Sequence, residues 1–337
     1  MTRSDSFASN PVLRRYWHPV ARADEIRAGP VAVELLHERL VLWRDGDGAL
    51  GAAYDRCPHR ESPLSLGRVV DGCLQCPYHG WSFSVTGACV RVPSSPPDVP
   101  VPPKARLATV HLDECYGLVW VCLDEPAAPI PVIVEEKDPA FRRINNPVER
   151  WHTSATRMTD NFMDISHFPY VHVGTFGRAQ NTLVPKIDMQ RLDDSFYGYR
   201  YEVEVNNPDE ARATSGQAAD TLTRTMTTGF NLPFLSRSTI RYETGLEHIL
   251  LLCTTPIDDV TSYFTFVVWR NDDFSVPAEE VVAFDRAIGA EDKVMLERVP
   301  GVLALDLTAT VSVQSDKPSV EWRRRLIELL RQGPERP

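Results

Sequence analysis

The sequence predicts an α+β protein: an all-β N-terminal domain, then a larger domain built on an antiparallel sheet with a few helices. Three observations carry that prediction. Over residues 1–125 short apolar runs alternate with turn residues and show no helical periodicity. A proline-rich stretch, "PAAPIPVIVEEKDP" at 126–139, then reads as an interdomain linker. Beyond it, at 140–337, long alternating runs stand beside two segments of helical period close to the C-terminus.

The elements follow in order. "VAVELLHERLVLWR" runs into "DGDG" and then "ALGAAYDRCPH", a hairpin around an Asp-Gly turn. That turn also spells Gly46-x-Gly48-x-x-Gly51. No helix pattern follows it, so the glycines belong to the hairpin and not to a nucleotide site. "PSSPPDVPVPP" at 93–103 excludes helix and central strand. "YGLVWVCLDEP" at 116–126 reads as a buried strand ending in a turn. "SFYGYRYEVEV" at 195–205 alternates like a strand, and 248–257 with 262–270 reads as an antiparallel pair. Residues 206–220, polar and rich in breakers, read as a mobile loop. Residues 276–299 read as a helix, with Pro277 in its first turn and Glu279 and Glu280 favouring its N-terminal dipole. "PSVEWRRRLIELLRQ" closes the chain as an amphipathic helix.

Composition narrows the function. With 43% apolar and 24% charged residues the profile is that of a soluble globular protein, and no apolar run reaches membrane-spanning length. The first twenty residues hold no apolar signal core, so a cytoplasmic protein is expected. A net charge of −10 argues against nucleic-acid binding. Seven cysteines, an odd number in an acidic chain without a secretion signal, argue against a disulfide framework.

Two constellations carry chemistry. "CPHRESPLSLGRVVDGCLQCPYHGW" contains the pairs Cys57-x-His59 and Cys76-x-x-His79, each on a proline-containing turn. A zinc site is the rival, and Cys73-x-x-Cys76 imitates a zinc knuckle. One Cys and one His per loop, however, suits a two-iron cluster with thiolates on one iron and imidazoles on the other. The second constellation is "TDNFMDISHFPYVHVGTFG" at 159–177. Asp164 and His167 are three apart and would share a helical face. Pro169 bends the chain after His167 and lets His172 return toward it. Two imidazoles and one carboxylate would form an iron site with open positions for dioxygen. On the residues alone the carboxylate is Glu291, Asp292 or Glu297.

"CPHRESPLSLG" and "CPYHGWSF…TGACV" resemble the cluster loops of Rieske proteins, and with both metal motifs the chain resembles the oxygenase (alpha) component of Rieske non-haem iron oxygenases. It resembles in particular the group containing the dicamba and vanillate O-demethylases, toluenesulfonate methyl monooxygenase and the saxitoxin-pathway hydroxylases. The resemblance implies an N-terminal Rieske [2Fe–2S] domain followed by a helix-grip (START-like) catalytic domain with a mononuclear Fe(II). It implies that Cys57 and Cys76 bind one cluster iron and His59 and His79 the other, leaving Cys73 and Cys89 as bystanders. Glu61 departs from the pattern, standing where the first loop often has glycine. His167, His172 and Asp292 become the ligands of the mononuclear iron. Asp164 becomes an acid bridging an iron histidine to a Rieske histidine of a neighbouring subunit in a homotrimer, and Asn161 a polar residue close to the iron.

The activity implied is monooxygenation of a small organic substrate by O2, as C–H hydroxylation or oxidative O- or N-demethylation. Electrons would come from a separate NAD(P)H-dependent reductase, directly or through a ferredoxin. Phe162, Phe168, Phe176 and the strands at 222–270 would wall the pocket, with His248 and Asn231 as candidate polar anchors and Trp269 in the core. The alternatives are a Rieske-type electron carrier without oxygenase activity and a zinc-binding structural or interaction protein. An electron carrier would not need a second domain with a second metal motif.

Overall fold

The structure, a computed structural model, describes residues 6–27 and 29–332. Residues 1–5 of the stretch read for a secretion signal lie outside that range. The chain divides into two units, Met1–Pro129 and Ile130–Pro337.

The first unit holds strands β1 (His18–Arg22), β2 (Val31–Leu35), β3 (Glu38–Arg44), β4 (Leu50–Tyr54), β5 (Arg68–Val70), β6 (Cys73–Gln75), β7 (Ser82–Phe83), β8 (Cys89–Arg91), β9 (His111–Cys115) and β10 (Leu118–Cys122). They form three antiparallel sheets, ordered β1-β10-β9, β2-β3-β4 and β5-β6-β7-β8. The Asp-Gly hairpin joins β3 and β4, and Asp45 Oδ1 accepts from Asp47 N and Ala49 N to shape its turn. A second hairpin turn, between β2 and β3, carries no sequence signal. Leu36 and His37 both take positive φ, at 52° and 66°, although neither is Gly, Asn or Asp. Mirror-image turns match strand twist, and burial of Leu36 at 3% exposure holds the strained backbone.

The second unit holds β11 (Arg142–Asn145), β12 (Glu149–Trp151), α1 (Ala155–Met163), α2 (Phe168–Val171), β13 (Gln190–Arg191), β14 (Tyr197–Asn206), α3 (Asp209–Ser215), β15 (Thr221–Asn231), β16 (Leu235–Arg241), β17 (Glu247–Pro256), β18 (Ser262–Arg270), α4 (Ala278–Leu296) and α5 (Lys317–Arg331). Its eight strands form one antiparallel sheet, β11-β18-β17-β16-β15-β14-β13, with β12 also pairing β18. Helices α1 and α4 pack on this sheet: Met158, Val281, Val282 and Leu296 share a core with Ile144, Phe264, Phe266 and Val268. Ser154 caps α1, accepting from Thr156 N. On α5 the buried residues Ser319, Trp322, Arg323, Leu326 and Leu329 lie on one stripe, and Trp322 Nε1 donates to Pro233 O.

Two sequence expectations need correction. Residues 206–220 are not a loop throughout, because α3 occupies 209–215 and ends at Gly216 in the left-handed region. Asp209 and Glu210 favour its N-terminus, and Thr214 Oγ1 donates to Val281 O of α4, so packing supplies what a short polar sequence lacks. Asp164 and His167 do not share a helix. Helix α1 ends at Met163, and Asp164 is extended at φ −85°, ψ 147°.

Candidate metal centres and active-site cavity

In the first unit the two Cys/His loops are built alike. Cys57 N donates to Ser62 O and Glu61 N to Cys57 O; Cys76 N donates to Trp81 O and Gly80 N to Cys76 O. Each loop therefore places its fourth residue after proline's cysteine in the left-handed region: Glu61 at φ 57° and Gly80 at φ 71°. Glycine takes that conformation freely, whereas glutamate does so at a cost of roughly 1–2 kcal/mol. Glu61 thus fits the loop's backbone under strain. Its exposed pair with Arg56, at 3.5 Å, contributes little. Glu61→Gly is expected to raise stability by about 1 kcal/mol with an unchanged cluster spectrum, measured by thermal unfolding.

The loops bring four donor groups together. Cys57 and Cys76 are buried against Val41, Trp43, Leu74 and Phe83. The Cys57 thiol is pushed up to about 11, first by burial and then by the adjacent Cys76 thiol. The His59 and His79 rings lie edge to face, 4.6 Å apart, and Trp81 stacks on His59 at 4.6 Å. His59 Nδ1 is buried and without a hydrogen-bond partner. Two adjacent thiols and two neighbouring imidazoles, one with an orphaned nitrogen, fit the donor set of a two-iron cluster. Cys73 and Cys89 stand apart on β6 and β8 as free thiols.

In the second unit a second donor set converges. The short turn after α1 replaces the expected helical face: Asp164 Oδ1 accepts from Ser166 N and Oγ, and Oδ2 from His167 N and His167 Nδ1 at 2.9 Å. Pro169 falls in the first turn of α2, where its missing N–H costs nothing, and α2 carries His172 at its end. There His172 Nδ1 donates to Glu291 Oε2 at 3.0 Å. Glu291 also accepts from Thr175 Oγ1 and Gly174 N. A Cβ on Gly174 would sit 2.7 Å from Glu291 Oε1, so a larger residue there would displace the Glu291 carboxylate.

With both Nδ1 protons committed to carboxylates, the two Nε2 atoms face each other as lone pairs 3.1 Å apart. Asp292 Oδ1 lies 3.6 Å from His167 Nε2 and 3.5 Å from His172 Nε2. Three acceptors facing one point repel unless a cation lies between them. The three residues fit a mononuclear metal, each offering one atom within 4.8 Å of the others. Asn161 Nδ2 donates to Asp292 Oδ1 at 3.0 Å and orients it. Burial pushes the Asp164 carboxyl up, but the His167 and Ser166 donors outweigh it and hold Asp164 below its ordinary range. Burial lowers the proton affinity of His172, which keeps the ring in the neutral, metal-binding form.

Helix α4 and its C-terminal cap, Glu297, separate the three candidate acids by direction. Asp285, Ile288, Gly289 and Asp292, spaced at helical repeat, line a cavity; Glu291 turns to His172; Glu297 accepts from His152 N. Sequence reasoning missed Glu291 as a partner of His172, although its position beside Asp292 was visible. The cavity encloses about 130 Å³ and is walled by Phe162, Phe168, Phe176, Leu250, Phe264 and Phe266. His248 reaches it, but Asn231 does not: its amide donates to Ser195 O. Trp269 lies in the core at 1% exposure. Glu291→Gln is expected to weaken ferrous-iron binding about 10–100-fold, read by anaerobic iron titration, without altering the cluster's absorbance.

A Rieske-type cluster domain joined to a domain with a two-histidine, one-carboxylate iron site defines an oxygenase that takes electrons from outside. Residues 16–110 match the Rieske [2Fe-2S] domain model, and residues 151–332 the vanillate O-demethylase oxygenase C-terminal domain model. The chain belongs to the Rieske non-haem iron oxygenases, as an oxygenase component with a Rieske [2Fe–2S] cluster and a mononuclear iron as its cofactors. It is 34% identical to methylxanthine N1-demethylase NdmA of Pseudomonas putida, over 94% of this chain and 89% of the relative. It is 30% identical to methylxanthine N3-demethylase NdmB of the same organism, over 93% and 88%. The solved structure of NdmA with caffeine superposes with a TM-score of 0.81 at 31% identity, covering 96% of this chain and 93% of that one. Dicamba monooxygenase bound to 3,6-dichlorosalicylic acid shares the fold, with a TM-score of 0.80 at 23% identity over 98% and 100% of the two chains. Among the described residues no helix is long and apolar enough to cross a membrane.

Proposed function

We propose that this oxygenase component removes a methyl group from oxygen or nitrogen of a small organic substrate. The observation that carries this reading is the meeting of His167 Nε2, His172 Nε2 and Asp292 Oδ1 at the wall of a largely apolar cavity. The demethylase names of its relatives supply the direction. When bound, the cluster would supply single electrons and the mononuclear iron a site for dioxygen activation. In this reading Cys57, His59, Cys76 and His79 hold the cluster, and His167, His172 and Asp292 hold the iron. Asp164 and Glu291 keep the Nδ1 protons in place, so both rings present Nε2. Asn161 keeps Asp292 Oδ1 turned inward, while Phe162, Phe168 and Phe176 exclude water and orient the methyl.

One oxygen atom enters a methyl C–H bond and the other leaves as water, consuming two electrons and two protons. The hydroxymethyl product then breaks its C–O or C–N bond and releases formaldehyde. The electrons come from a separate NAD(P)H-dependent reductase, directly or through a ferredoxin.

The reading extends to a cytoplasmic homotrimer in which Asp164 faces His79 of a neighbouring subunit. Asp164 already accepts four hydrogen bonds, and its side chain is 21% exposed. A carboxylate offers about four acceptor sites. Ser166 Oγ, a free rotor, is therefore the donor that yields to the incoming imidazole. The test is reductase-dependent turnover of a panel of O-methyl and N-methyl compounds. Formaldehyde equal to the demethylated product is expected; a product that gains an oxygen and keeps its methyl would replace demethylation by hydroxylation.

A further inference from the structure

On strand β15 the inward row is Leu222, Arg224, Met226, Thr228 and Phe230. An arginine interrupts a row otherwise free of charge. Arg224 is 4% exposed and lines the cavity that contains the iron-binding triad. Its guanidinium carbon lies 5.8 Å from the Phe176 ring and 5.4 Å from the Tyr242 ring. Its Nε makes no hydrogen bond, and among the described residues no acid pairs with it.

A second buried arginine, bonded to the cavity-lining residues His248 and Thr214, shows the contrast. Arg270, 1% exposed, donates Nε to Asp272 at 2.6 Å, Nη1 to His248 Nδ1 at 2.8 Å, and Nη2 to Thr214 O. The fold therefore gives one buried arginine an acid, Asp272, which Arg142 shares at 2.7 Å, and leaves the second facing the cavity without one. Of the acids lining the cavity, Asp164 and Asp292 belong to the iron site and Asp285 lies beside His248, with 3.0 Å between its Oδ2 and His248 Nε2. Burial of an unpaired charge is unfavourable, and two aromatic faces offset only part of it. The guanidinium fork matches a carboxylate with two parallel hydrogen bonds.

We infer that Arg224 is the anchor for a carboxylate on the substrate, so that the molecule demethylated is a one-ring aromatic acid. This rests on the demethylase reading above. Size supports one ring, since a cavity of roughly 150 Å³ holds benzene and this one encloses about 130 Å³. Position supports it too. Phe176 stacks on His172, with centroids 4.8 Å apart, and the same ring touches Arg224. The cation and the iron-binding imidazole thus share one aromatic neighbour, and a ring carrying a carboxylate and a methyl ether reaches both.

The test uses the enzyme with both metal sites loaded. Calorimetry compares the 2-, 3- and 4-methoxybenzoates with the corresponding uncharged methoxybenzamides. In the wild type at least one acid is expected to bind about 100-fold more tightly than its amide. In Arg224→Met that ratio is expected to fall close to one, and in Arg224→Lys, which keeps the charge and loses the fork, to an intermediate value. Taking the ratio within each variant cancels a general loss of folded protein, and the lysine variant serves where the methionine variant does not fold. Equal binding of acid and amide by the wild type overturns the inference, as does an undiminished ratio in Arg224→Met. Formaldehyde is measured in parallel. Selective acid binding through Arg224 without formaldehyde sinks the demethylase reading and leaves the anion site standing. Demethylation of a neutral methylxanthine with an acid-to-amide ratio of one does the reverse.

Discussion

Asp292→Ala is expected to empty the mononuclear iron site and abolish turnover, while the cluster's visible spectrum is unchanged. Asp292 Oδ1 is the anionic member of the converging triad and lies 3.6 Å and 3.5 Å from the two imidazole nitrogens. Its removal leaves two neutral lone pairs to hold a dication. Loss of a partner behind a ligand weakens metal binding about 10–100-fold, so loss of the ligand itself should exceed about 100-fold. Alanine keeps the helix, and Asp292 lies in the last two turns of α4, so folding should survive. Iron per subunit, measured against cluster absorbance, is expected to drop by the single mononuclear iron. Glu291→Ala serves as control, because Glu291 grips His172 Nδ1 from behind. Full activity in Asp292→Ala with total loss in Glu291→Ala would move the ligand role to Glu291.

Asp164→Asn is expected to retain both metals in excess ferrous iron, yet to lower turnover by about 100-fold or more. The amide keeps the shape of the carboxylate but not its charge, which strengthens the bond from His167 Nδ1. Its NH2 group cannot accept from Ser166 or from the imidazole of a neighbouring subunit. In the proposed ring the cluster should still be reduced, then fail to reoxidise with substrate and O2 in a single turnover. Stopped-flow absorbance of the cluster reads this directly. Reoxidation at the wild-type rate, or an active monomer in sedimentation, would rule out the intersubunit route.

The cluster loops were legible because their chemistry is local. Cys-x-His and Cys-x-x-His bring each thiol and ring onto one turn, and the positive φ at Glu61 and Gly80 repeats the same backbone twice. The Leu36–His37 turn was not legible, since burial rather than residue type enforces it. Helix α3 escaped for a related reason: a seven-residue segment, five of whose residues are polar, is too short to hold a helix alone, and contact with α4 supplies the stability. The relation of Asp164 to His167 was read at the right spacing and the wrong geometry. A helix would place the two side chains on one face, but the turn brings the His167 backbone N and ring Nδ1 to the same oxygen.

By itself the sequence determined the class of fold, the two metal motifs and the pairing of cluster with iron site, because thiol, imidazole and strand periodicity are written in short spacings. The residues alone left the acid open among Glu291, Asp292 and Glu297, and the resemblance pointed to Asp292. The tertiary structure brings Asp292 to the histidines, since adjacent helical residues point about 100° apart and helix packing selects the inward one. It also decided that Glu291 backs His172, and that Arg224 faces the cavity without an acid. Those partners lie on separate elements far apart in the chain, and their juxtaposition is a property of how α2, α4 and β15 pack.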